Sequence, residues 1–193
     1  SDGKDASLML VRDLVITRRI ESLLDGVILL VVPIFNVDGH ERFGPFNRVN
    51  QNGPQEMGWR VTARGLNLNR DYLKADAPEM RAMLRLFSTW LPDLYIDCHV
   101  TDGIDFQYDV TYAMEVHQNI DPEIAAWSTQ TYLPALTASV EAAGHLIAPY
   151  IWPREDWDIR KGFVSGAATP RFSTGYAAVQ NRPALLVETH SLK

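Results

Sequence analysis

The sequence predicts an α/β fold, and three observations point to it. Short apolar, β-branched runs that read as buried strands recur at 27–32, 93–99 and 184–188. Helical stretches lie between them, and several polar residues fall where a strand run gives way to a loop. Strands alternating with helices form a single α/β sandwich, in which helices cover a sheet. The 193 residues suit one domain, 1–193, with enough chain to bury a core without staples.

In chain order, Leu8, Val11, Leu14, Val15 and Ile20 recur at helical spacing and predict a helix over 7–25, ended by Asp25-Gly26. Val27–Val32 is a continuous apolar run, the pattern of a strand covered on both faces. Residues 34–66, rich in Asn, Gly, Pro and Arg, read as a long loop, and long loops in compact domains are usually functional. A helix is expected over 77–90 with Pro78 in its first turn. Strands are expected over 93–99 and 106–112. A long helix over 122–143 ends at Gly144, and 146–151 reads as another strand. Residues 152–175 read as loop, and 184–188 as a short strand ending in a carboxylate. Of the five tryptophans, Trp90 and Trp127 are expected in the core, while Trp59, Trp152 and Trp157 could line a cleft or pack.

Composition narrows the function classes. A hydrophobic fraction of 46% with 22% charged residues is that of an ordinary soluble globular domain. The net charge of −6 and the scattered basic residues exclude a nucleic-acid-binding stripe. The longest apolar run is far short of the roughly 20 residues that span a bilayer. With Cys98 as its one cysteine, the chain forms no internal disulfide. It opens on Ser1 with no visible export signal, and nothing in it specifies a compartment or an oligomeric state.

The polar residues at strand ends carry the chemistry, since open α/β sheets gather their sites there. His99 closes the 93–99 strand, and neutral imidazole is a common metal ligand. Asp97, two residues earlier, shares its face and is placed to orient that ring or to sit as a hydrogen-bonded core carboxylate. Glu188 ends the last strand, either as a tuned general base or as a carboxylate in solvent. Around Arg60 and Asn67-Leu68-Asn69-Arg70, guanidinium groups offer the paired donors that grip carboxylates. The leucines flanking Asn67 argue that this segment packs inward.

Taken in order, these segments resemble the zinc carboxypeptidases related to carboxypeptidase A. Pro33-Ile34-Phe35-Asn36-Val37-Asp38-Gly39 resembles that family's strand-exit turn. Trp59-Arg60 resembles its Trp-Arg pair, and Gly65 to Tyr72 its Gly-Val-Asp-Leu-Asn-Arg-Asn-Phe motif. Ala77-Pro78-Glu79 resembles the helix start that follows. His99, after Pro92-Asp93-Leu94, resembles the third zinc ligand, and Leu186-Val187-Glu188-Thr189 the strand of the catalytic glutamate.

The resemblance implies a three-layer α/β/α sandwich around a mixed, largely parallel twisted sheet. It implies one zinc ion with His99 as a ligand, Glu188 as general base, Arg60 polarising the scissile carbonyl, and Asn69 and Arg70 binding the substrate's terminal carboxylate. Tyr176 is the candidate for a substrate-capping tyrosine, with a packed aromatic as the other reading. The implied activity is hydrolysis of a peptide bond at a C-terminal residue. The implied partner is a peptide or acyl-amino acid with a free carboxylate, not nucleic acid or membrane. An amidase or deacylase acting on acyl-amino acids or cell-wall peptides, or a non-catalytic carboxylate-binding relative, shares the same motifs. Two departures stand out. No His-x-x-Glu, the family's source of two zinc ligands, occurs in the chain, and Asn67 stands where many relatives carry Asp. The expectation is therefore that the two ligands precede Ser1 in a parent protein, and that residues 1–193 alone bind zinc weakly and hydrolyse nothing.

Overall fold

A computed structural model of the chain describes residues 2–51, 53–101, 106–117, 119–155 and 158–190. Trp157 lies outside the described residues. The first helix, α1 (Asp2–Val11), runs on through a wider π turn, Arg12–Ile16, and the chain then breaks at 17–20 before a 3-10 turn at Glu21–Leu24. The expected helix over 7–25 thus starts earlier and is interrupted. Arg18 takes a left-handed backbone conformation, φ 56°, which turns the chain so that Arg12 and Arg19 both hold the buried Asp13 carboxylate. Hydrogen bonds from those two guanidinium groups lower the pKa of Asp13.

Residues 27–32 form no strand, which corrects the expectation of one buried on both faces. Ile28 is 76% exposed, and Val27, Leu29, Leu30 and Val32 are exposed as well. A strand needs a hydrogen-bonded neighbour to be stable, and among the described residues this run has none. The loop that follows holds a single helical turn, α2 (Val37–Glu41), capped by the Asn36 side chain, which accepts the Gly39 N–H at 3.0 Å.

The helix α3 (Pro78–Trp90) starts on Pro78 as expected and stops at Leu91, which adopts a left-handed conformation, φ 46°. Strand β1 (Tyr95–Val100) follows, then β2 (Val110–Met114). The second strand lies later than the expected 106–112 because the Asp109 carboxylate accepts the Leu146 N–H at 2.9 Å and fixes where the β2 pairing begins. The long helix over 122–143 is present as α4 (Pro122–Trp127), a π turn (Ser128–Tyr132) and α5 (Leu133–Ala142). Next come β3 (Ile147–Pro149) and the two-residue hairpin β4 (Trp152–Pro153) and β5 (Phe163–Val164). The chain then runs through α6 (Ser173–Val179) into β6 (Ala184–Thr189).

The sheet order is β1-β6-β2-β3, with β1/β6 and β2/β3 parallel and β6/β2 antiparallel. Tyr95, Asp97 and His99 alternate onto one face of β1, and Ala184, Leu186 and Glu188 sit beside them on β6. That face carries α3 and α6, through Phe87, Tyr95, Tyr176, Ala177 and Ala184. On the other face Gly3 of α1 lies so close to Cys98 that a Cβ there would come within 2.4 Å of the Cys98 Cβ. Helices on both faces of a mixed sheet give the expected three-layer α/β/α sandwich.

Two details differ from the sequence reading. The helix α6 falls inside a segment expected to be loop. Its Ser-Thr-Gly start is a poor helix former, and the element is stabilised by packing, with Ser173, Thr174, Gly175, Ala177 and Ala178 all buried. Trp90 and Trp127, expected in the core, are 49% and 41% exposed, so they edge it rather than fill it.

Candidate functional site

The site is assembled on the face shared by β1 and β6, at their carboxyl ends. In the parallel register His99 lies opposite Glu188, and across β6 Glu188 lies opposite Thr111. Glu188 is buried, 7% exposed. The His99 Nε2 sits 2.9 Å from an Asp97 carboxylate oxygen. A neutral ring that donates from Nε2 keeps the Nδ1 lone pair, the form in which imidazole can bind a cation. Burial would push the His99 pKa down, but the charge and hydrogen bond of Asp97, together with the charge of Glu188, raise it overall. Arg60 opposes them, so its guanidinium stands close enough for its charge to act on His99.

Arg60 is held from the strand-exit turn. The Asn36 Nδ2 donates to the Arg60 carbonyl at 3.3 Å, the Trp59 N–H donates to the Gly39 carbonyl at 2.7 Å, and the Ala63 N–H donates to Asp38 at 2.9 Å. Only glycine fits at position 39, since a Cβ there would come within 2.3 Å of the Trp59 carbonyl. The Arg42 guanidinium stacks on Trp59, 3.5 Å from the ring centroid. The turn beyond His99 is tied in by Gln51, whose Nε2 donates to the Thr101 carbonyl at 3.0 Å.

Asn69 and Arg70 sit on a 3-10 turn, Leu68–Arg70, capped by the Asn67 side chain accepting the Asn69 N–H at 3.1 Å. Leu68 and Tyr72 anchor this turn in a buried cluster with Ala77 and Met80, and Tyr95 packs against it. Asp71 is buried and locks the turn to the start of α3, accepting the Asp76 N–H at 3.0 Å and the Ala77 N–H at 2.8 Å. The Arg70 guanidinium lies over the Phe172 ring, 4.6 Å from its centroid, and donates to the Asn69 carbonyl at 2.8 Å.

Tyr176 is placed elsewhere. It belongs to α6, its ring packed near Tyr72 at 5.9 Å and Phe87 at 5.8 Å, so the packed-aromatic reading describes it and the capping role does not fit this placement. Beside it the hydroxyls of Tyr72 and Tyr95 share a hydrogen bond of 2.8 Å. Burial, reinforced by the Asp97 charge, raises the pKa of both.

The sequence reading missed the supporting roles of Asn36, Asp38 and Gln51. The first two were legible as the polar residues of the Pro-Ile-Phe-Asn-Val-Asp-Gly turn, whereas Gln51 carries no local signal. Among the described residues no three His, Cys, Asp or Glu side chains gather to hold an ion, His99 included.

The carboxyl ends of β1 and β6 in this α/β fold set a buried carboxylate beside an imidazole, with the charge of Arg60 acting on that imidazole, a set suited to hydrolytic or carboxylate-binding chemistry. A family model described as zinc carboxypeptidase matches residues 2–156, and the chain belongs to that family. It is 28% identical over 159 residues to a probable carboxypeptidase 2 of Trichophyton verrucosum and to carboxypeptidase 2 of Trichophyton rubrum, covering 77% of this chain. It spans 28% and 27% of the length of those relatives. A solved metallo-carboxypeptidase from Burkholderia cenocepacia shares the fold, with a TM-score of 0.51 at 16% identity over 69% of this chain and 32% of its own.

Proposed function

We propose that this chain forms much of the active-site cleft of a zinc-dependent metallocarboxypeptidase, an enzyme that hydrolyses the peptide bond ahead of a C-terminal residue. The observation that carries the reading is the register that sets Glu188 beside His99 on one face, with the charge of Arg60 acting on the same imidazole. Asn69 and Arg70 hold the free carboxylate of the substrate, Arg70 through paired charge-assisted hydrogen bonds. Arg60 donates to the scissile carbonyl oxygen and offsets the charge that develops on it, an effect worth about 3–4 kcal/mol where single donors have been removed. Glu188 takes a proton from the attacking water and then passes it to the leaving amine, so that bond cleavage releases a neutral amino group.

His99 is proposed as one zinc ligand. The donor set among the described residues falls short of the three protein ligands that a catalytic zinc site takes, roughly. The remaining ligands are therefore proposed to lie outside those residues, and no step is assigned to the metal.

The test is Glu188→Gln in the zinc-loaded full-length gene product. The expected result is a fall in kcat of about 10²- to 10⁴-fold with little change in KM. Rates equal to wild type would remove Glu188 from the role of base. A panel of C-terminal peptides and acyl-amino acids separates a carboxypeptidase from an amidase. Binding of these ligands without turnover would replace both readings by a carboxylate-binding protein.

A further inference from the structure

The amino group of Lys4, on α1, lies against an imidazole of α2 rather than against a carboxylate. Its Nζ is 3.2 Å from His40 Nε2, and His40 Nδ1 is 2.6 Å from a Glu41 carboxylate oxygen. We propose that Lys4, His40 and Glu41 form an acyl-acceptor site, at which Lys4 is modified by acyl thioesters with His40 as general base. The inference is independent of zinc and of Glu188.

Three observations carry it. First, the hydrogen bonds fix the tautomer of the ring. An ionised carboxylate only accepts, so Nδ1 carries the proton donated to Glu41. An ammonium only donates, so Nε2 keeps its lone pair towards Lys4. A base with a third group orienting it is the arrangement that activates a nucleophile. The Phe43 ring stands edge-on to the same imidazole, with centroids 5.8 Å apart. Second, the other described lysines are held by carboxylates, Lys74 by Asp76 at 2.7 Å and Lys161 by Glu155 at 3.6 Å. A carboxylate stabilises the unreactive ammonium, and the hydrogen bond and charge of Asp76 raise the pKa of Lys74. The carboxylate beside Lys4 is that of Asp5, 3.8 Å away on a side chain 71% exposed, so a neutral base is the closer partner. Third, Lys4 and His40 stay partly open to solvent, each side chain 25% exposed.

The step balances with the thioester as co-reactant. The ammonium first gives one proton to water through His40. The neutral amine then attacks the thioester carbonyl carbon, an N–C bond forms, the C–S bond breaks and a thiolate leaves. The proton shed by Nζ passes to His40 Nε2 and from there to the thiolate or to water. The product amide is uncharged and sits at the seam between α1 and the turn that holds Arg60.

The test treats the folded 193-residue chain with N,S-diacetylcysteamine, a small acyl thioester, and follows acetylation of each lysine by peptide mass spectrometry. Lys4 is expected to react about tenfold or more faster than Lys161 and Lys74, and this lead should vanish in urea. His40→Gln keeps an acceptor for the Lys4 hydrogen bond but removes the base. It should erase the lead while leaving the rates at Lys74 and Lys161 unchanged. Glu41→Gln, at a side chain 69% exposed, should reduce the lead without disturbing the fold. A Lys4 rate in the folded chain no higher than that of Lys161 would overturn the proposal. So would a lead that persists in urea or survives His40→Gln.

Discussion

His99 is the residue on which the site's electrostatics converge. Its pKa is raised because Asp97 and Glu188 outweigh burial and Arg60. A histidine whose folded pKa exceeds its unfolded value, near 6.5, adds stability fully below that pH and loses it as pH rises through the folded value. The metal-free chain should therefore lose this contribution as pH rises from near 6.5 through the higher folded value. Asp97→Asn should flatten that part of the profile. Thermal unfolding of both proteins across this range checks it, and an unchanged slope in Asp97→Asn would mean that Asp97 does not hold the imidazolium.

Among the elements, the turn carrying Asn69 and Arg70 depends on Asp71. Asp71→Ala would leave the buried N–H of Ala77 and the N–H of Asp76 without their acceptor. The expected cost is about 1–3 kcal/mol, the penalty of stranding a buried donor, read as a lower midpoint in denaturant unfolding. The run 27–32 should behave in the opposite way. Ile28→Lys is expected to change stability by no more than about 0.5 kcal/mol, because the side chain is already in solvent. A large loss there would show that this run is buried in solution.

The same contrast explains what was legible in the sequence. Strands β1 and β6 could be read because each carries an apolar run that closes on a chemically distinctive residue, His99 and Glu188. The helix α3 announced itself through Pro78. The run 27–32 has the same local composition as those strands, but pairing is a property of neighbours, and composition does not reveal whether a neighbour is present. The helix α6 was hidden for the converse reason: Ser173, Thr174 and Gly175 argue against a helix locally, and burial overrides them. Tyr176 is a capping-tyrosine candidate only through the family resemblance, with a packed aromatic as its other reading, and its place in α6 sets its ring in the aromatic cluster.

Over the whole molecule, the account depends on three distant segments meeting at one face of the sheet: the loop that carries Arg60, the end of β1 and the end of β6. Family membership supports a carboxypeptidase-like frame, and the register of β1 on β6 brings the imidazole and the carboxylate together within it. The sharpest measurement is the NMR titration of the His99 ring in the metal-free chain and in two variants. Glu188→Gln should lower the His99 pKa, since a neighbouring negative charge is lost, and Arg60→Ala should raise it, since a positive one is lost. A His99 pKa that responds to neither substitution would contradict the shared cleft.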